Sequence, residues 1–404
     1  MAMVRSSSLV FAINGKIGAL KMLLNRRKFS LLLGAAMAAP SVALANAGIA
    51  TSSHITDMAG RTVKLPDHIK RIVLLDARDI LSMAILHPFP SDLVVGWADT
   101  ARLDSEILRT TYDRHADGSL IETVGGSSPG TVSHEKIIAL EPDLVVATAF
   151  SEPGLGNGEL TQRLEQVGIP VIFSNVSSNV PSASKTATNP FDEMAALMRM
   201  WGEILDRRNS AEEFISFVGK HQKAIADRLV GVTPTQAYLE IQSTYDDCCW
   251  AAGQQIWGDL LRQAGGRNLS VVEAPWYAQV SIEQLMAESP DVYIASGGAY
   301  AAEIRPAVGP GLDPVPARAA LERLTGRTGF STLPAVINNR VHCVWTGLLT
   351  IAPLQILFLE VAAKWLHPDL FADLSPQQTL DDINRLYLGT PLSGPCWISL
   401  GDNA

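Results

Sequence analysis

Asp76, Arg78 and Asp79 follow one short apolar run of this chain, and Trp97, Asp99 and Arg102 follow the next. Arg78 and Arg102 carry guanidinium forks, whose planar N–H pairs suit carboxylates and other anionic oxygens. Later apolar runs end near Phe150, Tyr245, Trp250, Trp276, Tyr277, Tyr300 and Trp345. Aromatic residues are only 6% of the chain, so their recurrence at these corners is selective. Aromatic faces beside cations suit a flat catecholate, a chelate ring system or a porphyrin-like ligand. The candidate ligand contacts are therefore Arg78, Arg102, Tyr245, Trp250, Trp276, Tyr277, Tyr300 and Trp345. Ordinary loop or core packing is the competing explanation for each one.

Catalytic patterns do not emerge. The sequence holds no G-x-S-x-G elbow and no H-E-x-x-H helix, and no G-x-G-x-x-G follows a strand and opens a helix. The glycine-rich Gly125–Gly130 loop leads to a helix start at Ser133 with an acidic first turn, which is a poor phosphate cradle. The eight histidines are scattered, and no C-x-x-C or H-x-x-x-H spacing is present, so no catalytic and no metal-ligating set is expected.

The elements that must position the candidates read as α/β. Strands are predicted over Arg71–Leu75, Leu93–Trp97, Leu144–Thr148 and Val171–Phe173, then over Gln236–Ile241, Val292–Ala295 and Val341–Trp345. Each is a short apolar, often β-branched run bounded by turn residues. Helical patterns alternate with them, which implies parallel sheets, and ligands of such sheets sit beyond the strands' carboxyl ends. Between the two sets lies a strand-free stretch, Pro190 to Val230. There Met194, Leu197, Met198, Trp201 and Leu205 recur at helical spacing. Ser210 is expected to cap a second helix, Ser210–Leu229, with Phe214, Phe217, Val218, His221 and Ile225 on one face.

An internal repeat links the two sets. Residues 131–148 (TVSHEKIIALEPDLVVAT) and 279–296 (QVSIEQLMAESPDVYIAS) share seven of 18 positions without gaps. Each copy reads as a Ser N-cap, an acidic first turn, a helix, a Pro-Asp corner and a buried strand, so two equivalent lobes are expected. Glu135 and Glu283 stand two residues after the cap in their copies. A Glu there complements the helix dipole, but matched placement in both lobes also suits a shared outer contact.

Residues 1–47 hold six basic residues and no acid, then an apolar run from Leu31 to Ala45 that ends in Ala-Asn-Ala. This is the pattern of a secretory signal peptide. Asn25-Arg26-Arg27-Lys28-Phe29-Ser30-Leu31 resembles a twin-arginine signal, with Met22 an alternative start. Without residues 1–47 the chain has 26 basic against 41 acidic residues, or −15. That argues against a nucleic-acid partner. No cysteine marks a lipid anchor at the cleavage site. Val344 to Leu366, though apolar, holds Gln355, Glu360 and Lys364 and is divided by Pro353, so it reads as core rather than a membrane span. Of the four cysteines, adjacent Cys248 and Cys249 are expected not to pair with each other. One of them could instead pair with Cys343 or Cys396, or all could be buried thiols.

The stretch Ile55-Thr56-Asp57-Met58-Ala59-Gly60-Arg61-Thr62-Val63-Lys64-Leu65-Pro66, followed by Arg71-Ile72-Val73, resembles the opening of class III periplasmic substrate-binding proteins. Further echoes are Glu135 to Val146, Gly265-Gly266-Arg267-Asn268, Glu283 to Asp291, Asn339 to Val344 and Lys364-Trp365-Leu366-His367-Pro368. The resemblance spans roughly residues 55–375, and these proteins serve ABC importers of iron–siderophore, haem and cobalamin. It implies two Rossmann-like lobes with mainly parallel sheets, bridged by a long α-helix, with ligand held between them. Its boundaries fall at 1–47 (signal peptide), 48–187 (N-terminal lobe), 188–230 (helical segment with the bridge) and 231–404 (C-terminal lobe). It also implies a monomeric, non-enzymatic periplasmic protein without a cofactor. Such a protein binds a ferric chelate, or alternatively cobalamin or haem, for an ABC permease. Arg78 and Arg102 would meet the chelate's carboxylates. Glu135 and Glu283 map to the glutamates that dock on permease arginines. A periplasmic sensor would share this fold.

Overall fold

The structure, a computed structural model, describes residues 54–126, 129–177 and 189–401. The expected signal peptide, its Arg26–Arg27 pair and most of the expected junction between N-terminal lobe and helical segment lie outside these residues. The described residues all fall in one unit. A short antiparallel ribbon, His54–Thr56 with Thr62–Lys64, leads into two five-stranded sheets.

In the first sheet the order is Glu122–Gly125, Val94–Ala98, Ile72–Leu74, Leu144–Thr148 and Val171–Asn175, all parallel. The strands fill outward from Ile72–Leu74 first to one side and then to the other, so the winding reverses between Ile72–Leu74 and Leu144–Thr148. Loops leaving those two strands part in opposite directions and open a crevice at their carboxyl ends. Side chains alternate between the faces as the pleat requires. Ile72, Leu74, Leu144 and Val146 join the main core, whereas Val73, Leu75, Val145 and Ala147 join a smaller cluster on the opposite face.

The second sheet runs Gly266–Arg267, Thr235–Leu239, Val292–Gly297, Val341–Trp345 and Trp397–Ser399, parallel except for the last strand. Helix Gln355–Leu366 packs here with ten of its 12 residues buried. The apolar stretch from Val344 to Leu366 is therefore core, and among the described residues no helix is long and apolar enough to cross a membrane.

Helices Pro190–Ile204 and Arg208–Arg228 join the sheets. Ser210 does not cap the second helix. Asp206 turns the chain with φ 52°, so the helix begins directly at Arg208, with Arg207 at the N-cap. The 21 residues of this helix span about 31 Å. It packs against helix Asp79–Leu86 of the first lobe and Gln355–Leu366 of the second. His221 Nδ1 lies 2.7 Å from the buried Glu360 carboxylate, tying the bridge to the second lobe.

Cys248 and Cys249 are joined as a vicinal disulfide, and Cys343 and Cys396 are free and buried. The expectation against pairing within the Cys-Cys dipeptide is not met: the two Cα atoms lie 3.1 Å apart, within reach of a bond between neighbouring side chains. Burial pushes both remaining thiols up, so they behave as small core apolar groups.

Candidate substrate-binding cleft

The four strands Ile72–Leu74, Val94–Ala98, Leu144–Thr148 and Val171–Asn175 all deliver side chains to one cavity at their carboxyl ends. Arg78 follows the first and Arg102 the second. Thr148 with Phe150 comes from the third, and Asn175 with Ser177 from the fourth. The opposite wall comes from the second lobe. Ile256 and Trp257 start helix Trp257–Gln263, Trp276 precedes strand Tyr277–Gln279, and Leu349, Thr350 and Gln355 follow strand Val341–Trp345. Larger grooves of ≈ 560 to ≈ 650 Å³ lie on the outside of single lobes. The cleft cavity, ≈ 40 Å³, is lined by both lobes.

A charged floor holds the two arginines. Arg78 donates through Nε to Asp76 Oδ1 at 2.9 Å and through Nη2 to Asp76 Oδ2 at 2.5 Å. Arg102 pairs through Nε with Asp99, and its Nη1 lies 3.6 Å from Asp76. The Arg102 guanidinium also stacks 3.8 Å from the Phe150 ring centre. Among the described residues, no acceptor is bonded to Arg78 Nη1 or Arg102 Nη2. The turn Thr100–Leu103 that carries Arg102 is bracketed by Asp99 at φ 57° and Asp104 at φ 51°. Asp enters the left-handed region more readily than most residues. Ile256 at φ 56° is more unusual, because a β-branched side chain is strained there.

Burial works to raise the Asp76 carboxyl, but Arg78 and Arg102 outweigh it and hold it below the ordinary carboxylate range. Asp79 behaves oppositely. Burial and the neighbouring Asp76 charge push it up to about 7, and Ser174 Oγ donates to its Oδ2 at 2.6 Å. At neutral pH the floor is therefore poised between a neutral and an anionic Asp79, beside two fixed cations.

The sequence candidates divide. Arg78, Arg102 and Trp276 meet in the cavity wall. Tyr277 packs on Trp276 at 5.2 Å and Trp250 on Tyr277 at 5.8 Å, forming a strip that leads away from the cavity. Tyr245 lies outside the wall with Arg323 stacked 3.8 Å above it, and Tyr300 is 61% exposed. Trp345 is not a cavity residue. Its side chain is fully buried, and its Nε1 donates to the Asp104 carbonyl across the lobes at 3.1 Å. Thr148, Asn175, Ser177, Trp257, Thr350 and Gln355 were not singled out from the sequence. Thr148, last residue of an expected strand, had a signal in its position; the others had none.

Glu135 and Glu283 occupy matching second positions of helices His134–Ala139 and Ile282–Glu288, each behind a Ser N-cap and each exposed. Its own backbone N–H and the Ser133 hydroxyl lower the Glu135 carboxyl, and the Ser281 hydroxyl and its own N–H lower Glu283. Both are charged at neutral pH. One group of potential metal ligands, Glu240 with Cys248 and Cys249, comes together among the described residues. Arg327 takes both Glu240 oxygens, at 2.9 and 2.8 Å, and the two sulfurs are joined to each other, so the set offers neither a free carboxylate nor a thiolate.

The family model described as periplasmic binding protein matches residues 83–343. The chain belongs to this family. Its class III, two-lobed fold is that of solved ABC-importer binding proteins. A TroA-like periplasmic binding protein, FepB from Veillonella parvula, superposes with TM-score 0.72 at 20% identity, covering 87% of this chain and all of that one. Molybdate-binding protein MolA of Haemophilus influenzae is 24% identical over 251 residues, 59% of this chain and 67% of that protein. Its molybdate-bound structure gives TM-score 0.65 at 18% identity, over 85% of this chain and 100% of that one. A vitamin B12-binding protein of Vibrio campbellii is 26% identical over 40% of this chain, and the chain spans about half of that relative, 52%. Members of the family are substrate-binding proteins rather than enzymes, and they serve ABC transporters.

Proposed function

We propose that this periplasmic binding protein captures a small tetrahedral oxyanion of the molybdate class and presents it to an ABC importer permease. The observation that carries this reading is the cavity itself. It measures ≈ 40 Å³ and is lined by two guanidinium groups with hydroxyl and amide donors from both lobes. Sites for drug-sized organic ligands run to about 300–1,000 Å³, an order of magnitude more. Paired arginines give charge-assisted bonds to oxyanions, and the molybdate named for MolA is of this size class. Elemental analysis of protein purified from its host is expected to find molybdenum or tungsten and no visible chromophore. Iron with a chelate mass, or the spectrum of cobalamin or haem, would overturn the reading.

The aromatic strip Trp257–Trp276–Tyr277–Trp250 favours a second reading, the ferric siderophore expected from the sequence. Trp257 and Trp276 sit 5.5 Å apart, and the strip offers an apolar face to a ring-bearing chelate. That ligand needs the lobes to stand further apart. Under either reading, Glu135 and Glu283 are the proposed docking contacts on the permease dimer, one from each lobe.

Asp79 gives the oxyanion reading a pH signature. A bound anion favours protonated Asp79, so binding takes up a proton above the free-state pKa of about 7. Affinity is expected to be flat below that value and to weaken as pH rises from 7 towards 8.5. The slope should not exceed about tenfold per pH unit for a single proton. The folding sign is separate: a carboxyl raised from 3.8 to about 7 costs stability as pH rises through that window. Titration calorimetry at several pH values checks the binding slope, which Asp79→Asn should remove. An unchanged slope in that variant assigns the proton elsewhere.

Export is proposed to follow the twin-arginine route. Exchange of Arg26 and Arg27 for Lys is expected to leave precursor in the cytoplasm, and normal secretion of that variant would rule the route out. N-terminal sequencing of exported protein should begin near Gly48.

A further inference from the structure

Asp104 makes a buried polar contact between the two lobes. It ends the turn Thr100–Leu103 of the first lobe, and its side chain is 4% exposed, inside the second lobe. There its Oδ1 accepts the Tyr300 backbone N–H at 2.8 Å, and its Oδ2 accepts Arg305 Nη2 at 3.1 Å. Its carbonyl accepts both Ala299 N–H and Trp345 Nε1–H at 3.1 Å. Gly298 completes the socket, because a Cβ at that position would overlap the Asp104 carboxylate. All these partners sit at or beyond the carboxyl ends of the second lobe's central strands, Val292–Gly297 and Val341–Trp345.

The same turn carries Arg102 into the cavity, two residues before Asp104. Arg305 in turn donates to Thr346 Oγ1 at 2.6 Å, and the chain continues from Thr346 to the cavity residues Leu349 and Thr350. One clasp therefore holds a short turn that presents a cavity arginine on one side and a loop that forms the opposite wall on the other.

We infer that Asp104 is a positioning residue: its insertion into the Gly298–Arg305 socket clasps the lobes together without ligand and sets Arg102 against the cavity. The clasp restricts lobe opening beyond what the helical bridge alone imposes. A bridge helix resists bending but leaves small hinge and shear displacements available at its ends, and a buried ion pair with three further hydrogen-bond donors around one residue opposes them. The effect on binding follows from populations. If loss of the clasp leaves about a tenth of the molecules with the cavity assembled, apparent affinity falls about tenfold. The Arg102 part of the inference rests on the cavity being the ligand site, whereas the clasp itself does not.

The test uses the full mature protein with spin labels on Glu159→Cys and Glu322→Cys, one exposed site per lobe. Without ligand, Asp104→Ala is expected to broaden and lengthen the inter-lobe distance distribution. It should also weaken tungstate binding about tenfold, as expected from the smaller fraction of molecules with the cavity assembled. Gly298→Ala should act similarly by filling the socket. The effects must not add: in an Asp104→Ala background the carboxylate that the new methyl meets is gone, so Gly298→Ala should have little further effect. Arg305→Gln provides a milder variant should either of these fail to fold, and should shift both readouts in the same direction. A wild-type distance distribution in Asp104→Ala, or fully additive effects of Asp104→Ala and Gly298→Ala, overturns the clasp. A wider distribution in a protein whose wild type binds no tungstate leaves the clasp standing and removes the oxyanion reading instead.

Discussion

Replacing Arg78 and Arg102 together with Ala is expected to lower oxyanion affinity by roughly 10²- to 10⁴-fold, since bonds from charged groups are worth about 1.5–3 kcal/mol each. The two single variants should differ in kind. Arg78 makes two hydrogen bonds to Asp76, which is buried and whose other cationic neighbour, Arg102, lies 3.6 Å away. Arg78→Ala therefore leaves a buried carboxylate nearly unpaired and should lower thermal stability as well as affinity, because an uncompensated buried charge is costly. Arg102 is about a quarter exposed, at 24%, and leans on Phe150 and Asp99. Arg102→Ala should lose affinity with a smaller loss of stability. Calorimetric titration beside thermal unfolding separates the two. Wild-type affinity in both single variants would move the ligand away from the cavity between the lobes.

The double variant Glu135→Ala, Glu283→Ala is expected to keep ligand affinity and lose most transport. Both carboxylates are exposed and stand at corresponding helix starts of repeated units. Each contact alone would be a solvent-exposed ion pair of small worth. Two contacts fixed in spacing by a rigid body act together, so losing both should reduce stimulated ATP hydrolysis or uptake by about tenfold or more, and losing one by less. Vesicles reconstituted with the cognate permease measure this beside a direct ligand titration. Loss of binding in step with loss of transport would point to damaged helix starts rather than docking. Full transport with full binding would contradict the docking assignment.

The fold was legible where burial was complete. Leu144–Thr148 and Val341–Trp345 appear at the residues expected from their apolar runs, and both are buried throughout. Glu122–Gly125 was missed because only Val124 of its four residues is buried. Gly266–Arg267 and Trp397–Ser399 are too short to show a period. The repeat exposed the two-lobed plan because a cap, a corner and a buried strand recur in one order.

The site was legible in its charges and less so in its walls. Arg78 and Arg102 stood out because cations just after buried strands of a parallel sheet point to its crevice. Asn175 and Ser177 did not, since small polar residues at the end of a strand look like any loop, and Gln355 opens a helix inside a long apolar stretch. Trp345 shows the limit of the rule. It ends a strand as the rule requires, but its ring is buried against the partner lobe and bonds the Asp104 carbonyl. The ligand class proposed here, a small oxyanion, differs from the ferric chelate expected from the sequence for a related reason. Residue types record charge and aromaticity, whereas the room left between the lobes depends on how the lobes meet. The Cys248–Cys249 pairing likewise depends on a local backbone geometry that composition does not encode.

The central claim is that the cavity between the lobes selects a small oxyanion. Calorimetric titration of dialysed mature protein with molybdate and tungstate, run beside a ferric siderophore, haem and cobalamin, tests it most directly. Saturable one-to-one binding of the oxyanions, lost in the Arg78→Ala, Arg102→Ala double variant and absent for the large ligands, is the result expected. Saturable binding of a ferric chelate, haem or cobalamin with no heat from molybdate or tungstate would contradict it.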